Sequence, residues 1–258
     1  MNQSIIFSPV GHCIYCGKIE EDLTDEHIIP YGLGGNLVLP KSSCKKCSKI
    51  TSNTERFCLK PMYGNLRHRL NLPTRRKKNR SPIISLEIRG SNGENNNIHL
   101  PAPEFPLLAL GFRFPAPGLL RGEPQGDSTE GEVICRYINE QFQKYIPSDG
   151  RRVKIGSICI DTFCRMLAKI AHSYAIAKLG ETAFNPLLPK IILEKNIPPT
   201  YLVGGDKSSE PKKQPKVLHD IYPQLCLSHG IEYVLIAIQL FAFIDMPRYH
   251  VVVGEKIG

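Results

Sequence analysis

Two Cys-x-x-Cys pairs, Cys13-Ile-Tyr-Cys16 and Cys44-Lys-Lys-Cys47, constrain this chain more than any other feature of its sequence. Two residues between thiolates let one tight turn aim both sulfurs at a single ion, and a second such turn completes the tetrahedron that zinc favours. Gly17, directly after the first pair, suits a knuckle turn that needs positive φ. Four thiolates close the coordination shell, so the Zn2+ expected on Cys13, Cys16, Cys44 and Cys47 is structural. Buried free thiols or a redox pair are the alternative, which the second matching pair disfavours. The nine cysteines are an odd number, which argues against a disulfide framework.

A length of 258 residues allows one large domain or two small ones. An apolar fraction of 41% with 22% charged residues excludes a disordered or collagen-like chain. Lys and Arg number 33 against 24 Asp and Glu, a formal charge of +9, which makes a polyanion a reasonable partner without identifying one. The longest apolar run, Tyr233 to Ile244, contains Gln239 and falls short of the roughly 20 residues a bilayer requires. It reads as core. Met1 to Pro9 lacks the basic and apolar regions of a signal peptide, so the expected location is cytoplasmic, with no membrane partner.

Three stretches differ in character. Residues 1–72 hold the chemical motifs, residues 73–80 (Pro-Thr-Arg-Arg-Lys-Lys-Asn-Arg) form a basic linker or phosphate-contacting arm, and residues 81–258 read as a larger, mainly structural domain. In that last stretch Ile83 to Arg89 has strand chemistry, and a polar turn precedes a return strand beginning at Ile98. Ile158 to Leu179 has helical periodicity and is stopped by Gly180, with Arg165, Lys169 and His172 expected on its exposed face. Asp206 to Lys216 reads as an exposed polar loop. Asp220 to Leu227, Ile231 to Phe243 and Tyr249 to Val253 predict a β-meander.

Between the knuckles, Glu26 and His27 are consecutive at a strand end, where adjacent side chains point to opposite faces. Such a pair can divide its labour between a metal and a water. Pro30 and the glycines at 32, 34 and 35 end the strand in an irregular loop, which Asn36 closes. With Cys-x-x-Cys, Glu-His-Ile-Ile-Pro, Leu-Gly-Gly and a second Cys-x-x-Cys in this order, residues 12 to 58 resemble the HNH endonucleases, specifically their zinc-knuckle branch.

That resemblance implies an N-terminal ββα-metal unit; with the helix and antiparallel-strand patterns of residues 81–258 beside it, the chain reads as α+β, with a larger domain of mixed helix and antiparallel sheet. The HNH resemblance has further consequences. It implies metal-dependent cleavage of DNA that leaves 5′-phosphate and 3′-hydroxyl ends, in systems such as restriction or phage defence. His27 matches the general base, Glu26 the acidic ligand of a catalytic Mg2+ or Mn2+ ion, and Asn36 the residue positioning the histidine-bearing strand. Where family members carry His or Asn after the second knuckle, this chain has Ser48, a weak ligand. Either water helps hold the ion or Asn53 or Glu55 substitutes. On a helix entered at Cys44, residues 48, 52 and 55 share a face, which favours Glu55. A degenerate site in a non-catalytic, zinc-containing nucleic-acid-binding module is the alternative.

From Lys41 to Arg80 only Glu55 opposes a dense basic run. Lys45, Lys46, Lys49, Arg56, Arg75, Arg76, Lys77 and Lys78 are the candidates for contacting DNA phosphates beside the site. The C-terminal part carries no ligand motif and reads as a specificity or sensor module open to a regulatory partner.

Overall fold

The computed structural model describes residues 3–75, 80–90, 93–126, 131–138, 152–154, 156–206 and 213–258. Strand β1 (Ile5–Ile6) lies parallel to β3 (Leu37–Ser43), and β2 (Thr24–His27) lies antiparallel to it, with His27 opposite Val38 and Glu26 opposite Leu39. Helix α1 (Lys45–Phe57) starts where the second knuckle ends. Cys44 is its N-cap, and its sulfur accepts from the backbone N–H of Cys47 at 3.5 Å. The expected ββα unit is therefore present. A wide turn at Cys58–Met62, containing Pro61, leads into the short α2 (Gly64–Arg69).

Beyond it, β4 (Ile83–Arg89) pairs with β5 (Asn95–Pro101) and with β8 (Arg152–Lys154), while β6 (Leu107–Arg113) pairs with β7 (Glu132–Ile138). Burial alternates along β4, as a sheet with one wet face requires. The return strand starts at Asn95, earlier than expected, because backbone pairing reaches back through three asparagines. Helix α3 (Ile160–Leu179) is followed by β9 (Phe184–Pro186), α4 (Leu188–Leu193) and β10 (Val203–Gly205). The C-terminal β11 (His219–Ser228), β12 (Ile231–Leu240) and β13 (Arg248–Lys256) form the expected meander, extended by β10 and β9 on β13. Of the polar loop expected at Asp206 to Lys216, residues 207–212 lie outside the described residues.

Every residue of α3 from Phe163 to Ile176 is buried, including Arg165, Lys169 and His172. The exposed face expected for those three does not exist. The helix lies against α1 on one side and against α4, β12 and β13 on others, so it is a core helix covered on every side. One apolar cluster runs from Cys13 and Ile28 through Phe163 and Leu167 to Val253, without a break at the basic linker. A smaller cluster of Ile84, Leu86, Ile88, Leu100 and Phe105 fills the β4–β5 hairpin. No helix among the described residues is long and apolar enough to cross a membrane.

Candidate metal centre and nuclease cleft

The four knuckle sulfurs lie within 4.8 Å of one another. Zinc–sulfur bonds of about 2.3 Å in a tetrahedron separate the sulfurs by about 3.8 Å, and the Cys16 and Cys44 sulfurs are 3.8 Å apart. Gly17 has φ +72° and donates to the Cys13 carbonyl, which closes the knuckle as expected. The Ile14 N–H bonds to the Ser42 carbonyl and ties this turn to β3. Donor chemistry and spacing both fit one structural zinc.

A second site opens between β2 and α1. A cleft of about 390 Å³ is lined by Glu26, His27, Tyr31, Ser48, Ser52, Glu55 and Arg75, among others. The predicted helix face is thus realised: Ser48, Ser52 and Glu55 line the cleft, and Asn53 does not. Glu26 turns inward and is buried, while His27 is half-buried, the division expected of adjacent strand positions. The His27 ring meets Tyr31 edge-on, with centroids 5.5 Å apart. Burial, then the positive charges of Lys169 and Arg75, hold the His27 imidazole below its ordinary value. It is neutral at neutral pH and able to accept a proton.

The residue that sequence reasoning misplaced is Lys169. Its ammonium reaches from α3 to two carboxylates of the cleft and ion-pairs with Glu26 and with Glu55, the latter at 2.7 Å. It also donates to the backbone carbonyls of His27 and Ile28, the latter at 3.3 Å. Burial opposes its charge, but the two carboxylates more than offset that and hold it above its ordinary value. Burial also lifts the Glu26 carboxyl, against the pull of Lys169, and the charge of Glu55 adds to the lift. Tyr15, buried beside this group, is pushed up by burial and then by Glu26. A signal for Lys169 was available: Arg165, Lys169 and His172 are the only residues of type Lys, Arg or His between Thr162 and Ala177, and they fall on one face. On a helix otherwise too apolar to meet water, such a stripe marks internal partners.

Its neighbours have equally specific tasks. Arg165 donates to the carbonyls of Ile191, Glu194, Lys195 and Ile197, gathering the chain at the end of α4. His172 donates through Nε2 to the Ile14 carbonyl at 2.8 Å, inside the first knuckle. One face of α3 therefore grips the zinc knuckle, the acidic pair and α4.

Asn36 is not brought to the cleft. Its amide donates to the Gln3 carbonyl at 3.2 Å and fastens the chain before β1 to the start of β3. The loop that follows His27 is held instead by Arg67 and His219. Arg67 donates to the carbonyls of Gly32 (2.6 Å), Leu59 (2.9 Å) and Pro73 (3.2 Å). His219 donates to the Leu33 carbonyl at 2.8 Å and accepts from the Phe241 N–H at 3.2 Å.

Among the basic candidates, Lys46, Lys49 and Arg56 are exposed, and Lys45 is exposed but paired with Asp22. Arg75 stands on the cleft rim and is shared with a second groove of about 360 Å³ that contains Arg56 and Lys60. Arg76, Lys77 and Lys78 lie outside the described residues. Arg69 and Arg80 of the same run are tied to the carbonyls of Phe105 and Leu72.

No curated protein and no solved structure matches the chain. Residues 13–60 match the family model of the HNH endonucleases, and their four cysteines fit its zinc-knuckle branch.

Proposed function

We propose that this protein is a metal-dependent endonuclease that hydrolyses phosphodiester bonds of DNA in the cleft between β2 and α1. The observation that supports it best is the convergence of a neutral imidazole, His27, with two carboxylates, Glu26 and Glu55, in one open cleft rimmed by Arg75. Glu26, Glu55 and Ser48 would hold Mg2+ or Mn2+, since their oxygens are the hard donors such ions prefer, and Lys169 engages one oxygen of each carboxylate. Bound there, the ion supplies charge stabilisation at the scissile phosphate. His27 takes a proton from the water whose oxygen bonds to phosphorus, the bond to the 3′ oxygen breaks, and the departing 3′ oxygen takes a proton from solvent to give the 3′-hydroxyl. Lys169 fixes the His27 backbone carbonyl, so the imidazole starts from a held strand. Arg75 and Arg56 neutralise flanking phosphates.

Plasmid nicking with Mg2+ or Mn2+ tests this reading. His27→Ala is expected to cut at least about 100-fold more slowly, the usual contribution of a general base, while binding DNA as the parent does. A parent that binds DNA but cuts neither single nor double strands would make the chain a non-catalytic, zinc-containing nucleic-acid-binding module. Ser48 at a ligand position, together with an ammonium already on both carboxylates, favours that second reading.

A further inference from the structure

We infer that Lys169 is a built-in rival of the divalent ion: a protein cation, supplied by α3, that shares Glu26 and Glu55 with the metal and sets how weakly the metal binds. The inference rests on the nuclease reading for the identity of the ion, and on geometry for the rest. Two carboxylates line the cleft, one on β2 and one on α1, and the same ammonium touches an oxygen of each. Glu26 is buried, so its negative charge needs a partner that stays when water cannot serve. Lys169 is that partner, and its stem is enclosed in the core.

An ion bound by the remaining oxygens would face a like charge held by the same two anions. At such separations the repulsion between a divalent ion and an ammonium is large even when the surroundings screen well. Each cation therefore weakens the grip of the pair on the other. The site is left with a single negative charge and open to a second cation, which makes the role of Lys169 one of positioning through the two carboxylates.

The test is Mn2+ binding to protein whose cysteine site is already filled with zinc, read as loss of the free Mn2+ signal in electron paramagnetic resonance. Lys169→Met is expected to bind Mn2+ at least tenfold more tightly than the parent, and to gain more thermal stability from it. Equal affinity, or no Mn2+ bound by a folded variant, overturns the inference. Should the variant fail to fold, the parent suffices: with 15N-labelled lysine, the buried ammonium gives a resonance protected from exchange. That resonance is expected to shift with Mg2+ along the same curve on which Mg2+ displaces Mn2+. A resonance that stays fixed, or a parent that binds no ion by either measure, refutes the shared site. Equal Mn2+ affinity with His27-dependent nicking intact removes the role of Lys169 and leaves the nuclease. Tighter Mn2+ binding in a variant whose parent never nicks DNA does the reverse.

Discussion

Acid should loosen this fold through one identifiable imidazole. His219 uses both ring nitrogens inside the protein, donating to Leu33 and accepting from Phe241, so it is folded in the neutral form. Burial holds it down at about 4, whereas the unfolded chain titrates near 6.5. The unfolded state therefore takes up the proton first. Stability from this group is complete above pH 6.5 and falls as the pH drops toward 4, with a full loss of about 3 kcal/mol. At pH 5.5 the unfolded imidazole is almost entirely charged and the folded one almost entirely neutral, so about 1.4 kcal/mol is already gone. Urea unfolding of the zinc-loaded parent and of His219→Gln at pH 7.5 and 5.5 isolates this amount. His172, the carboxylates and the thiolates titrate in both proteins and cancel in the difference. The parent's advantage over the variant is expected to shrink by about 1.4 kcal/mol between the two pH values. An advantage that stays constant to within about 0.5 kcal/mol would refute the claim that His219 is neutral and doubly bonded in the fold.

Cys44 should be doubly sensitive, because it belongs to the four-cysteine cluster that fits zinc and also caps α1. Cys44→Ser is expected to lose the single bound zinc by elemental analysis, and with it the cooperative melting of the parent. A parent purified without zinc under reducing conditions would contradict the site. Gly35 packs so closely that a Cβ there would lie 2.0 Å from the Ile29 carbonyl oxygen. Gly35→Ala must push apart the loop after His27, at about 2 kcal/mol or more in urea unfolding, and a change under about 0.5 kcal/mol would show that the loop yields freely.

What could be read along the chain was local. The knuckle spacing, the positive φ of Gly17 and the shared face of Ser48, Ser52 and Glu55 all follow from bond geometry over a few residues, and each is found as expected. The three-strand meander was legible for the same reason, since β-branched runs with turns between them pair with their neighbours. The partner of Asn36 was not legible, because it lies beside β1, a two-residue strand that leaves no pattern in the sequence. The basic run was overcounted for a different reason. Charge tells nothing of occupation, and Arg67, Arg69 and Arg80 spend donors on the backbone carbonyls of Gly32, Phe105 and Leu72.

Lys169 shows why the acidic pair could not be understood from its own segment. A β2 carboxylate turned into the core and an α1 carboxylate beside it would repel each other and lose hydration, so a ββα unit alone holds them at a cost. Placing the compensating cation on α3, with a core that runs unbroken from the knuckle to β13, makes the geometry of the cleft depend on the packing of that core. The same helix face holds the Ile14 carbonyl of the zinc knuckle and the Ile28 carbonyl that follows His27. A displacement of α3 would therefore act on zinc knuckle, His27 strand and acidic pair together. The C-terminal part thus has a physical route to the cleft, because moving α3 would change how much of the charge of Glu26 and Glu55 is compensated.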